Sequence, residues 1–281
     1  MTGTRLRDSI AGRMDKRNEP ENVDSGPSQL YRYFSVERAK TLLADGKLFF
    51  PSASDFNDPF ECEPIFNFQA PKLERTRYNL KLLKEKNPAL PRRDRRWLAK
   101  KSANRRAFEK AAETFIERSK RTVGILSLCE RHDNLLMWAH YAASHAGICV
   151  ELRRDGPPLN LALKVAYSRE YPQVEFFEIA DAIEGSGAAA QSAQKKWVDA
   201  IFLTKSIDWV YEQEWRILDT TRGRGPRGFN PNLITKVFLG CKLTTADEKR
   251  VREWTAQGPT RPRMFRAIRE KASFGLRFEE I

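Results

Sequence analysis

Trp209-Val-Tyr-Glu-Gln-Glu-Trp-Arg-Ile217 is the stretch on which the reading of this chain turns. Charged residues alternate there with aromatic and aliphatic ones, which predicts a strand over residues 209–218. Period-two alternation would set Glu212, Glu214 and Arg216 on one face and Tyr211, Gln213 and Trp215 on the other. Two carboxylates about 7 Å apart along a strand repel one another unless a cation or a substrate hydroxyl lies between them. The pair therefore has two readings: it faces a ligand, or Arg216 and Arg32 neutralise it inside the fold.

Working outward, residues 30–34, 47–50, 122–129, 147–152, 161–167, 234–240, 264–268 and 274–278 read as further strands. A helix should follow Ser35, with Val36, Ala39, Leu42 and Leu43 on one face and Gly46 as its stop. Others are expected after Asp133 through Trp138 and Tyr141, and after Thr245, which forms a capping box with Glu248. Another should run through Trp197, Ile201 and Phe202, beyond a loosely starting Gly/Ala/Ser-rich stretch at 185–194. Strands dominate both ends and the regular βαβ rhythm is missing. The expected fold class is α+β, with a mixed or antiparallel β core rather than a doubly wound parallel sheet. Residues 1–29 read as a loosely held tail without the apolar core of a secretory signal, and residues 30–281 as one domain.

The net charge of +13 is regional. Residues 71–121 carry eighteen Lys and Arg against six Asp and Glu, a net of +12. Leu80 and Leu83 mark one helical segment there, and Trp97, Leu98, Phe108 and Phe115 another, parted by Asn87-Pro-Ala-Leu-Pro91. This basic helical insert would recruit nucleic acid or a nucleic-acid-bound protein, or it is a solvated hairpin with no partner. No apolar run approaches the ~20 residues of a membrane span. Cys62, Cys129, Cys149 and Cys241 lack metal or disulfide spacing and read as free thiols in a reducing compartment. A cytoplasmic protein without a metal site or a membrane partner is expected.

Further candidate residues lie elsewhere. Arg32, in Leu30-Tyr-Arg-Tyr33, sits among aromatics, where a guanidinium takes a carboxylate or phosphate partner or forms a structural ion pair. Asn57 and Asp58, in Ser54-Asp-Phe-Asn-Asp-Pro59, either clamp a ligand or knit their loop to the sheet. Trp138, His140 and Tyr141 offer a stacking platform or ordinary core packing.

Several motifs together resemble a bacterial family, domain of unknown function 2971 (DUF2971). They are Tyr31-Arg-Tyr33, Phe49-Phe-Pro-Ser52, Phe56-Asn-Asp-Pro-Phe60, Asn134-Leu-Leu-Met-Trp-Ala-His-Tyr141 with Gly147, Tyr211-Glu-Gln-Glu-Trp-Arg216, and Leu239-Gly-Cys241. That family carries no activity. Arg32, Ser127 in Ile125-Leu-Ser-Leu128, and Glu212-Gln-Glu214 also follow the order of ADP-ribosyltransferases of the arginine/serine/glutamate type, although Leu128 stands where that family has threonine. This second resemblance implies an ADP-ribosyltransferase-like fold and an NAD-consuming transferase or glycohydrolase, suited to a toxin or phage-defence effector. It would have Arg32 hold the NAD pyrophosphate, with Tyr33, Asn57, Asp58, Trp138, His140, Tyr141 and Arg216 completing the cofactor site. Ser127 would support Glu214. Glu214 would bond the ribose 2′-hydroxyl and stabilise the cation formed as nicotinamide leaves. Glu212 would orient the acceptor and take its proton. The competing reading is a non-catalytic nucleic-acid-binding module built on the 71–121 insert.

Overall fold

Alternation in strand β1 (Gln29–Phe34) sends Leu30 and Phe34 into one hydrophobic cluster and Tyr31 and Tyr33 into another. The computed structural model that shows this describes residues 26–281. Most of the expected tail, residues 1–25, lies outside the described residues, and Gln29 already belongs to β1. Helix α1 (Val36–Leu43) is too short to persist alone. Burial of Leu42 and Leu43, each 1% exposed, contributes about 3–6 kcal/mol and holds it to the sheet. Gly46, at φ +61°, then turns the chain into β2 (Lys47–Phe50).

A short strand, β3 (Ile65–Asn67), precedes the basic insert of α2 (Lys72–Lys86), α3 (Arg92–Ser102) and α4 (Arg105–Thr122). Pro71 and Pro91 stand at the entries of α2 and α3, where their missing N–H groups cost nothing. Next come β4 (Gly124–Cys129), α5 (Leu135–Tyr141) and β5 (Ile148–Arg153). Three short strands follow, β6 (Leu163–Lys164), β7 (Ala166–Ser168) and β8 (Gln173–Glu175), and then α6 (Phe176–Glu184) and α7 (Gly187–Phe202). Strands β9 (Thr204–Ser206), β10 (Glu214–Asp219), β11 (Gly225–Gly228) and β12 (Ile234–Leu239) lead to α8 (Thr245–Gln257), and β13 (Arg263–Arg269) and β14 (Leu276–Glu280) close the chain.

The expected α+β class is what the structure shows. Eight strands form one mixed sheet in the order β14-β13-β12-β5-β1-β4-β10-β6, with β12 and β13 parallel and every other neighbouring pair antiparallel. One face is covered by α1, β2 and α8, over Leu128, Val150, Trp215 and Val237. The opposite face carries two clusters. In one, α5 packs Met137 and Trp138 on Tyr31, Tyr33, Cys129, Cys149 and Phe238. In the other, α4, α6 and α7 cover Ile125 and Leu218.

Several expected boundaries are corrected. The strand predicted over 209–218 begins only at Glu214. Ser206 accepts a hydrogen bond from the Asp208 N–H and starts a 3₁₀ helix, Ile207–Glu212, and Gln213 follows in the left-handed region at φ 46°. Local capping chemistry thus overrides β propensity, and alternation does not relate Glu212 to Glu214. The strand expected over 161–167 is split into β6, which pairs with β10, and β7, which pairs with β9. The stretch expected to start loosely at 185–194 is helical from Gly187. Helix α5 is capped by Asn134 rather than Asp133, and α8 by Thr244 rather than Thr245. The last strand starts at Leu276, leaving Phe274 fully exposed.

Candidate functional site

Between the two clusters on the second sheet face lies a polar seam. Along β4, Ile125 belongs to the helix-covered cluster and Cys129 to the α5 cluster, with Ser127 between them. Strand β10 pairs Glu214 with Cys129 and Arg216 with Ser127, so both charged residues point into the same gap. Glu61 enters from the loop after β2, Lys205 from β9 and Glu212 from the end of the 3₁₀ helix.

These five groups, three carboxylates and two cations, pair with one another. Arg216 donates through Nε to Glu214 Oε1 at 2.7 Å and through Nη2 to Oε2 at 2.9 Å, and it also contacts Glu61 and donates to the Phe202 carbonyl. Lys205 Nζ lies 2.5 Å from Glu212, 3.3 Å from Glu214 and 3.7 Å from Glu61. The Tyr141 hydroxyl donates to Glu212 Oε1 at 2.6 Å, and the Tyr167 hydroxyl accepts from the Glu214 N–H at 2.8 Å. All five charged side chains are 5% exposed or less. Buried charges at this density persist only because each has a partner.

The two glutamates are electrostatically unequal. Burial pushes the Glu214 carboxyl up, but Arg216 and Lys205 outweigh it and hold Glu214 well below the usual carboxylate range, with the Ser127 hydroxyl adding to the effect. For Glu212 burial prevails over the pull of Lys205, Glu214 adds repulsion, and its carboxyl lies above the ordinary value. Burial alone would lower the Lys205 ammonium, but Glu214, Glu61 and Glu212 together raise it, so it stays charged. Glu214 is thus a fixed anion and Lys205 a fixed cation. Of these two glutamates, Glu212 is the readier to carry a proton.

Lys205 and Tyr211 also line an open cleft of about 530 Å³, together with Asp58, Phe60, Arg169 and Trp209. Asp58, Glu63, Glu170 and Asp208 against Arg169 and Lys205 make this lining acidic in an otherwise basic chain. Aromatic rings crowd the same region: Trp209 and Tyr211 have centroids 6.0 Å apart, His140 is 6.3 Å from each, and Lys205 Nζ is 4.9 Å from the Trp209 ring. Phe60 and Tyr171 are exposed at the cleft, 66% and 41% respectively. Among the described residues, no group of three His, Cys, Asp or Glu has the geometry to hold a metal ion.

The structure brings Glu212, Glu214, Ser127, Tyr141 and Arg216 together, with His140 nearby and Asp58 across the cleft. It does not bring in Arg32. The β1–β4 register sets Tyr31 opposite Cys129, on the Glu214 face, so Arg32 turns to the other face with Leu30 and Phe34. There its guanidinium stacks 5.3 Å from the Phe34 ring, its Nη1 has no hydrogen-bond partner, and burial, helped by Arg38, lowers its pKa to about 10. The alternative expectation, that Arg216 and Arg32 neutralise the glutamates, holds for Arg216 alone. Lys205 takes the second place. Tyr33 and Trp138 are core residues: Tyr33 donates to the Arg131 carbonyl and meets Trp138 edge-on at 5.3 Å, and Trp138 donates to the His132 carbonyl. Asn57 is exposed outside the cleft, while Asp58 accepts from the Phe60 N–H and shapes the loop.

Glu61, Lys205 and Tyr167 are the site members that sequence reasoning missed. Lys205 had a legible signal, since it is the one charged residue between Ile201 and Ile207. No curated protein and no solved structure matches this chain. Residues 137–217 match the family model described as Protein of unknown function (DUF2971), the family its motifs resemble, and this matched segment carries Lys205, Glu212, Glu214 and Arg216 of the buried cluster.

Proposed function

We propose that the cleft beside the buried cluster binds a small ligand through a planar, positively charged group, and that NAD, whose oxidised nicotinamide ring is such a group, is its substrate. The acidic, aromatic-walled lining is the observation that carries this reading. Aromatic faces and carboxylates both favour a cation, and an aromatic face contributes about 0.5–2 kcal/mol to holding one. Departure of nicotinamide moves the positive charge from the ring to the ribose, and a carboxylate of the lining beside the ribose would stabilise it there.

The roles differ from those the resemblance implies. Glu214 is held as an anion by the paired bonds of Arg216 and by Lys205 and serves as an anchor. Glu212 is the acid/base group, with its proton exchanged beside Tyr141 and its path to the cleft running past Lys205. Arg169, which lines the cleft, would meet the pyrophosphate in place of Arg32. Transfer to an acceptor or hydrolysis by water would each complete the reaction, and a toxin or phage-defence role would suit either.

Comparing NAD with NADH is the test, because reduction removes the ring's charge while leaving the rest of the molecule intact. NAD should raise Tm and bind about 2–30-fold tighter than NADH, and nicotinamide release should be abolished by Glu212→Gln. Equal binding of the two forms, or no nicotinamide release with and without cell extract, would overturn the proposal.

A further inference from the structure

Helix α3 of the insert carries a surface that the cleft does not explain. Its sequence, RRDRRWLAKKS, turns Leu98 and Ala99 toward the protein and leaves Arg92, Arg93, Arg96, Trp97, Lys100 and Lys101 exposed. At helical spacing Arg93, Trp97 and Lys101 form one row and Arg96 and Lys100 the row beside it, along about 12 Å of axis. Arg93, Arg96, Lys100 and Lys101 have no acidic partner among the described residues. Trp97 is 60% exposed, and Lys101 Nζ sits 4.8 Å from its ring centroid.

An indole held open to solvent amid four cations without an acidic partner among the described residues is a costly surface to leave unused, and its chemistry is specific. Guanidinium and ammonium groups neutralise phosphates, and a free indole face stacks on a base. A paired duplex hides its base faces, so stacking on Trp97 requires an unpaired strand. A membrane surface would instead want a continuous apolar face, and a single tryptophan among arginines and lysines does not supply one. We infer that α3 is a binding site for single-stranded nucleic acid, with Arg93, Arg96, Lys100 and Lys101 on the phosphates and Trp97 stacked on a base.

The test is fluorescence anisotropy of the full chain with a labelled oligodeoxythymidine of about 20 nucleotides, longer than one such module covers, read over a salt series. Wild type should bind with affinity that falls as salt rises. Combined Arg93→Glu, Arg96→Glu and Lys100→Glu should weaken binding at least about 30-fold and flatten the log–log salt slope by about 2, at roughly 0.7 per phosphate contact. Trp97→Ala should cost about 5–100-fold, while Trp97→Phe retains most of the affinity because it retains a ring. These positions are exposed, so an unchanged circular dichroism spectrum separates lost binding from lost fold. Overturning results are a triple variant that binds like wild type, a Trp97→Ala variant without effect, or capture of anionic vesicles or an acidic peptide but not the oligonucleotide.

Discussion

Replacing Arg216 by methionine tests the buried cluster most directly. The unbranched stem is kept while the buried guanidinium is removed, so the perturbation is loss of the charge, its hydrogen bonds and the space the group fills. Glu214 then loses both guanidinium bonds, Glu61 loses its closest cation, and Lys205 is left facing three carboxylates. Removing one partner of a buried pair costs about 3–5 kcal/mol. The Phe202 carbonyl also loses its donor, adding about 1 kcal/mol. A total of about 4–6 kcal/mol corresponds to a Tm drop of roughly 7–11 °C for a chain of this size. Urea denaturation followed by far-ultraviolet circular dichroism measures it, with an unchanged m-value showing that the denatured state is the same. Two controls isolate the cause. Adding Glu61→Gln and Glu214→Gln to Arg216→Met removes the stranded charges, leaves the Lys205–Glu212 pair, and should restore most of the loss. Without Arg216, the Glu214 carboxyl should titrate above its unfolded value, so the deficit is present at neutral pH and shrinks as pH falls through that raised value. A loss below about 1 kcal/mol, or a deficit that neither control moves, would refute the claim that charge pairing holds this seam together.

Acid stability should depend on Asp219. Burial would raise its carboxyl, but backbone and Arg227 hydrogen bonds prevail and bring it to about 2. Its stabilisation is therefore complete above the unfolded value of ~3.9 and fades as pH falls toward about 2; a wild-type acid-unfolding slope identical to that of Asp219→Asn in this window would contradict it. Thiol labelling of the native, reduced protein should modify Cys241 first, since Cys62, Cys129 and Cys149 are buried and burial pushes the Cys62 thiol up to about 12. Rapid reaction of all four without denaturant would show that the sheet and its helices open far more readily than their packing implies.

The residues alone gave the α+β class, the apolar strands around positions 30, 125 and 150, the helix behind Ser35, the basic insert and the placing of Glu214 beside Arg216 on one strand face. Each of these depends on near neighbours in the chain: alternation, helical spacing, capping and proline breaks. The 3₁₀ helix before Glu214 was hidden because its aromatic, β-branched composition also suits a strand, and the Ser206 cap with the left-handed Gln213 decided between them. Glu61 could not be joined to the glutamates from sequence, since 155 residues separate it from Arg216; Lys205 is only seven residues from Glu212, but the 3₁₀ helix that folds it back onto the glutamates was not legible.

Arg32 marks the boundary most sharply. Alternation fixes which residues of β1 share a face, but not which face of β1 coincides with which face of β10; that depends on strand order and on Tyr31 lying opposite Cys129, itself opposite Glu214. A shift of one residue in that pairing would have put Arg32 beside the glutamates. The chain's own periodicity set the rows of side chains, and only packing of the whole sheet between its helices determined which rows meet.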